Sequence, residues 1–181
     1  ANPHSWRERS SSAEGGGNLL DLQPHLISTV LHLFGPAKLV HSSVRSIRGF
    51  SDDDVVLVLR HDSGVDSYLS ASAIVGAPGP RIRLMGEKGS LVIHDLDKQE
   101  PLLRSGVFPT PSGWEVETRT PAFLYRGEEV SEYPSENGNY LHFYQQVAEA
   151  IRGERVMPVS LQEALDVALI IDQARNISIR A

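Results

Sequence analysis

Asp21, His25, Ser28 and His32 follow one another at intervals of four, three and four residues. At about 100° per residue, that spacing returns each of them to one narrow arc of a helix. An aspartate one turn before a histidine is a usable pair for proton chemistry. The carboxylate can orient the imidazole and raise its basicity, and the imidazole can then accept a substrate proton near neutral pH. Two other readings use the same residues. Buried Asp and His on a helix are also found as hydrogen-bonded core groups with no chemistry, because burying them unpaired is costly. Asp21, His25 and His32 could instead ligate a metal, although His25 and His32 stand two turns apart and no cysteine joins them.

The element that must carry these residues runs from Gly15-Gly16-Gly17 through Asn18 to Phe34-Gly35-Pro36, a glycine-rich turn feeding an apolar helix. Leu19, Leu20, Leu22, Leu26, Ile27, Val30, Leu31, Leu33 and Phe34 surround most of it, so the sequence predicts a largely buried helix with one polar stripe. Short strands follow: Leu39–Ile47, Val55–Arg60, Val65–Ile74 across the turn Asp62-Ser63-Gly64, Arg81–Gly86, and Gly89–Ile93. Consecutive short strands joined by brief turns point to an antiparallel sheet. Asp52-Asp53-Asp54 reads as a solvated turn. Residues 95–121 form a long irregular segment, and Trp114–Thr118 and Phe123–Tyr133 are weaker strands. Leu141, Tyr144, Val147, Ala148 and Ile151 recur at helical spacing ahead of a C-terminal glycine, Gly153. Ser160-Leu161-Gln162-Glu163 is a capping box opening a last helix that includes Leu165, Ala168, Leu169 and Asp172.

The 181 residues are enough for one domain with a full core, expected over 1–181. A net charge of −6 without a basic cluster argues against nucleic acid as a partner. No run of about 18 apolar residues predicts a membrane span. The chain has no cysteine, so it builds neither disulfides nor zinc-thiolate sites, which suits a reducing cytoplasm. Ala1-Asn2-Pro3 lacks Met and reads as the start of an excised piece. No G-x-G-x-x-G follows a strand, and Gly15-Gly16-Gly17 lacks that spacing.

The segment GGGNLLDLQPHL (Gly15–Leu26) resembles the GGGxLxDLGxHLxD signature of the Gfo/Idh/MocA family, the glucose–fructose oxidoreductase and inositol dehydrogenase group. Trp6-Arg7-Glu8 is similar to the WR(E) that precedes it. Asp97-Lys98-Gln99-Glu100 with Leu103, Gly106 and Pro109 resembles the DPQExxLxxGxxP of a narrower subgroup that includes NADP-dependent scyllo-inositol dehydrogenases. Gly138 to Val167 resembles the family's C-terminal end. The chain departs from the pattern at Gln23, where the family has glycine, at Ser28, where it has an acidic residue, and at Lys98, where the subgroup has proline.

The resemblance implies an α+β domain whose open, mainly antiparallel sheet packs helices on one face, like the C-terminal domains of glucose–fructose oxidoreductase and dihydrodipicolinate reductase. It implies Asp21 and His25 as the catalytic pair, His25 being the acid/base, and Trp6, Arg7, Asn18, Gln23 and Ser28 as substrate contacts. NAD or NADP would be bound mainly by an N-terminal Rossmann domain, absent from this chain along with a catalytic lysine. The substrate would be a sugar, inositol or related polyol. The other sheet face would make a homodimer or higher homo-oligomer. By itself the chain would not turn over. The rivals are a non-catalytic binding or oligomerisation module of the same fold and a metal-dependent hydrolase using Asp21, His25 and His32.

Overall fold

The computed structural model describes residues 10–110, 113, 114, 116 and 119–178. The glycine turn leads into α1 (Asn18–Asp21) and α2 (Gln23–Phe34). Strands β1 (Ala37–Arg45), β2 (Asp54–His61) and β3 (Asp66–Ser72) follow, then β4 (Ile82–Gly86) and β5 (Gly89–Ile93). After a short α3 (Gln99–Arg104) come β6 (Ala122–Arg126), β7 (Glu129–Tyr133), α4 (Tyr140–Ile151) and α5 (Leu161–Ser178). The chain divides into two units: Ala1–Gly76 with Val159–Ala181, and Ala77–Pro158. Every strand pairing is antiparallel, in a three-stranded sheet ordered β1-β2-β3 and a four-stranded sheet ordered β4-β5-β6-β7. The architecture is α+β, as the sequence leads one to expect. None of the described helices is long and apolar enough to cross a membrane.

All three glycines in the opening turn are required, Gly15 by its φ of +85°. A Cβ on Gly16 would collide with the Ser10 carbonyl. Gly17 has φ +96°, and a Cβ there would collide with the Asp52 carboxylate. The one helix expected after them is two, broken at Leu22 (φ −105°, ψ −38°). Pro24 explains the break: it has no N–H to donate to the Leu20 carbonyl, and its ring crowds that oxygen. At the start of α2 the missing donor is harmless. Gly35 ends α2 with φ +80° and donates its N–H to the Leu31 carbonyl at 2.9 Å.

In the first unit, β2 alternates strictly, with Val55, Leu57, Leu59 and His61 buried. Leu19, Ile27 and Leu69 pack on that face together with Ile170 and Ala174 from α5. The helices α2 and α5 lie against each other and against this sheet. The α5 capping box is formed: Ser160 N–H donates to Glu163 Oε2 at 2.7 Å, and Glu163 N–H donates to Ser160 Oγ at 3.2 Å.

The second unit holds the meander β4 to β7. The sequence's single weak strand over Phe123–Tyr133 is the hairpin β6–β7, turning at Gly127 with φ +63°. Of Trp114–Thr118, only Trp114 and Val116 are described, and neither lies in a strand. The segment expected to be irregular contains α3, whose Gln99 is buried and ties three stretches together. Gln99 Nε2 donates to Asp97 Oδ2 at 2.8 Å, and its Oε1 accepts from Trp114 Nε1 at 2.9 Å and from Tyr140 N–H at 2.8 Å.

The aspartate run is not the solvated turn that its composition suggests. Asp54 pairs with Arg45. Asp52 Oδ2 accepts the Leu19 N–H at 2.7 Å. Asp53 is 2% exposed and accepts from Ile47 N–H at 2.8 Å, Arg48 N–H at 2.9 Å and Arg48 Nε at 2.9 Å. Three consecutive carboxylates are tolerated because each has its own donors. Burial pushes the Asp53 carboxyl up, but those donors outweigh it and hold the group below the ordinary carboxylate value. A carboxylate depressed on folding stabilises the fold above its unfolded pKa, and that contribution is lost as pH falls through its folded value. Asp53→Asn should therefore be less stable than the parent at pH 7, with the gap closing as pH is lowered below the ordinary carboxylate range. Urea denaturation across a pH series measures this, and a gap that stayed constant with pH would contradict it.

Candidate functional site

Asn18 opens α1 and is anchored rather than free. Its backbone N–H donates to the Asp52 carbonyl at 3.0 Å, and its side-chain amide donates to the carbonyls of Asp53 at 3.0 Å and Ala71 at 3.3 Å. With the Asp52–Leu19 bond, these contacts pin α1 to the β1–β2 loop and to the end of β3. Asp21 closes α1 and is partly exposed, and His25 stands in the first turn of α2.

The buried polar residue of this helix is Gln23, not the stripe. Gln23 is fully buried. Its Nε2 lies 3.5 Å from the carbonyls of both Val55 and Leu69, and its Oε1 has no partner among the described residues. Going round α2 at about 100° per residue, His25, Ser28 and His32 fall roughly opposite Gln23. All three are exposed, and so are Leu22 and Leu33. The helix buries only the side it presents to the sheet, so the expectation of a largely buried helix is corrected. The residues able to do chemistry share its open side. The His25 ring makes no hydrogen bond to any described residue, while its backbone carbonyl accepts the Thr29 hydroxyl at 2.7 Å. Among the described residues no cluster of Asp, Glu and His could hold a metal, and Asp21, His25 and His32 are not brought together as one. Trp6 and Arg7 lie outside the described residues.

Sequence reasoning missed His61, which is 2% exposed. Its Nδ1 lies 2.8 Å from the Gly35 carbonyl and its Nε2 2.9 Å from Ser67 Oγ, joining the end of α2 to the hairpin β2–β3. The unbroken apolar run Val55–Leu59 ahead of it does not tell which face of the strand His61 takes. Tyr140, next to the Gln99 junction, was also missed. Burial raises its phenol pKa, and the Asp97 and Glu100 carboxylates raise it further.

Residues 1–177 match the family described as the oxidoreductase family, C-terminal alpha/beta domain, of the Gfo/Idh/MocA proteins. The chain belongs to this family. A relative of this Gfo/Idh/MocA domain is the scyllo-inositol 2-dehydrogenase (NADP(+)) of Bacillus subtilis strain 168, 34% identical over 181 residues. That match covers 96% of this chain and 49% of the relative. The crystal structure of a candidate oxidoreductase from Klebsiella pneumoniae superposes with a TM-score of 0.80 at 27% identity, over 92% of this chain and 48% of that one. A candidate oxidoreductase from Bacillus subtilis gives 0.79 at 32% identity, over 92% and 50%. The chain thus spans about half the length of the curated relatives it matches.

Because Gln23 is enclosed by the core, its length should matter more to stability than its amide. Gln23→Met, which keeps the length, should cost under about 1.5 kcal/mol. Gln23→Ala, which opens a cavity, should cost about 2 kcal/mol or more. Equilibrium denaturation of the two variants compares them, and equal losses would contradict the packing role.

Proposed function

We propose that this chain is the substrate-binding and dimerisation half of an NAD(P)-dependent oxidoreductase acting on a sugar, inositol or related polyol. The observation that carries the reading is the 34% identity to an NADP(+)-dependent scyllo-inositol dehydrogenase over 96% of the chain. Oxidising a secondary alcohol leaves an oxygen that must lose its proton, so a base is needed within hydrogen-bond reach. His25 supplies it from the open side of α2. Asp21, which ends the preceding helical turn, orients it, and Ser28 extends the same open side toward the substrate. Asn18, tied to three carbonyls, acts by holding α1 in place.

The glycine turn does not fit a dinucleotide's pyrophosphate. The space beside Gly16 and Gly17 is taken by the Ser10 carbonyl and the Asp52 carboxylate, and the Leu19 N–H is already bonded. A phosphate would meet a negative charge there instead of free donors. In this reading the cofactor belongs mainly to an N-terminal Rossmann domain, and the open side of α2 faces the nicotinamide and substrate. In the dimer, the second copy covers the outer face of the three-stranded sheet, where Tyr68 is 68% exposed beside the half-buried Val56 and Val58. A second reading, a non-catalytic oligomerisation module, is favoured by the enclosure of Gln23, which removes one substrate contact that the family pattern implies.

The test uses the full-length enzyme. His25→Ala should lower kcat by roughly 10²–10⁴-fold while circular dichroism and the melting curve stay those of the parent. Asp21→Asn should give a smaller loss in the same direction. A His25→Ala enzyme within a few-fold of the parent would remove the catalytic assignment in favour of the second reading.

A further inference from the structure

The turn end of the four-stranded sheet forms an open cleft of about 700 Å³ within the second unit, a size typical of small-molecule sites. Arg83 of β4, Lys88 of the β4–β5 turn and Arg126 at the end of β6 line it. Arg45, Arg48, Arg60, Arg104, Arg152 and Arg155 each face a carboxylate. The side chains of Arg83, Lys88 and Arg126 make no hydrogen bond or ion pair with any described residue; the same is true of Lys38, Arg81 and Lys98, but those lie outside the cleft. In a chain of net charge −6, free cations would be expected to find carboxylates, yet Glu87, which also lines the cleft, pairs with none of them.

Arg83 stands opposite Val92, and Ser90 opposite Tyr125, so these four residues share one face of β4, β5 and β6. Arg126 follows Tyr125 and starts from the other face, its Cγ 3.3 Å from where a Cβ on Gly89 would lie, and it and Lys88 enter the cleft at its turn end. Gly89 has φ +154°, and a Cβ there would lie 2.5 Å from the Tyr125 carbonyl, so a side chain at this position would hold β5 away from β6. Gly127, also in the lining, keeps the second turn free of a side chain. The buried Val92 and the Tyr125 ring give the floor apolar surface, and Ser90 adds a hydroxyl.

We propose that this cleft binds a phosphate monoester of a small organic molecule, its phosphate held by Arg83, Lys88 and Arg126 and its carbon body against Val92 and Tyr125. The charge fits. Three cations against Glu87 leave two positive charges, which matches a phosphate dianion, and guanidinium forks suit its oxygens. The volume exceeds that of inorganic phosphate, leaving room for the organic part. This site lies on the other unit from Asp21 and His25 and is independent of the proposed polyol chemistry.

Calorimetry on the purified protein at low salt would titrate glycerol phosphate, inorganic phosphate and glycerol. Glycerol phosphate should bind, inorganic phosphate should compete more weakly, and glycerol should not bind. Affinity for glycerol phosphate should fall about tenfold or more in Arg83→Gln/Arg126→Gln, and by less in Lys88→Gln. Because these side chains are unpaired, the variants should melt with the parent. Lys38→Gln/Lys98→Gln, which removes equal charge elsewhere, should bind as the parent does. Four results would overturn the proposal: no phosphate binding at low salt, equal binding by the Arg83/Arg126 variant, equal loss in the control variant, or self-association that excludes phosphate. Tighter binding of inorganic phosphate than of the ester would reject the monoester class.

Discussion

The corner formed by Asp52 and Asp53 is the constraint on which the candidate site depends. The glycine turn can be tight only because Gly17 leaves room for the Asp52 carboxylate. That carboxylate reaches the Leu19 N–H at 2.7 Å, across 33 residues of sequence. Asp53 in turn holds the β1–β2 loop through Ile47 and Arg48 and offers its carbonyl to the Asn18 amide. Charge-assisted hydrogen bonds of this kind are stronger than neutral ones. Their effect is to set the start of α1 relative to the sheet, and α2 begins anew after the break at Leu22. Burial raises the Asp52 carboxyl pKa despite the hydrogen bonds from Leu19 and Asn18, while Asp53 is held low. The corner therefore combines one carboxyl raised by burial and one held low by its donors.

This arrangement separates two jobs across α1 and α2. Leu19, Gln23 and Ile27 face the sheet and hold the fold, while His25, Ser28 and His32 face away and are exposed. A helix used this way offers its chemistry to whatever lies against its open side. Under the proposed reading that is the cofactor and substrate of a longer oxidoreductase, which suits a chain that matches about half of its curated relatives. Rigid placement from one side with an open opposite side is what a positioned acid/base requires.

Local features of the fold were legible in the sequence. The glycine turn, the Gly35 terminus, the Ser160–Glu163 capping box and the strand over Val55–Arg60 all rest on neighbouring residues, and the structure contains each of them. Features that depend on distant partners were not legible. Apolar residues surround α2, but the sheet covers only one side of it, so sequence alone overstated its burial. The aspartates looked solvated because the Leu19 and Asn18 donors to the corner lie 33 and 35 residues away. Gln99, buried in a six-residue helix too short for periodicity to reveal, draws in Trp114 and Tyr140 from 15 and 41 residues away. Arg83, Lys88 and Arg126 looked like ordinary surface charges until β4, β5 and β6 were paired. Asp21 and His25 were expected one turn apart on a single helix, but the break at Leu22 puts them on two, and nothing local indicated that His25, Ser28 and His32 lie opposite the buried Gln23.

Native-state amide hydrogen exchange in the parent and in Asp52→Ala tests the corner most directly. If Asp52 sets α1 on the sheet, the amides of Leu19 and Asp21 should be protected in the parent and exchange about tenfold or more faster in the variant. The amides of Val55, Leu57 and Leu59 in β2 should keep their protection. Unchanged exchange at Leu19, or an equal loss of protection throughout β2, would contradict the claim that this corner positions the helices carrying Asp21 and His25.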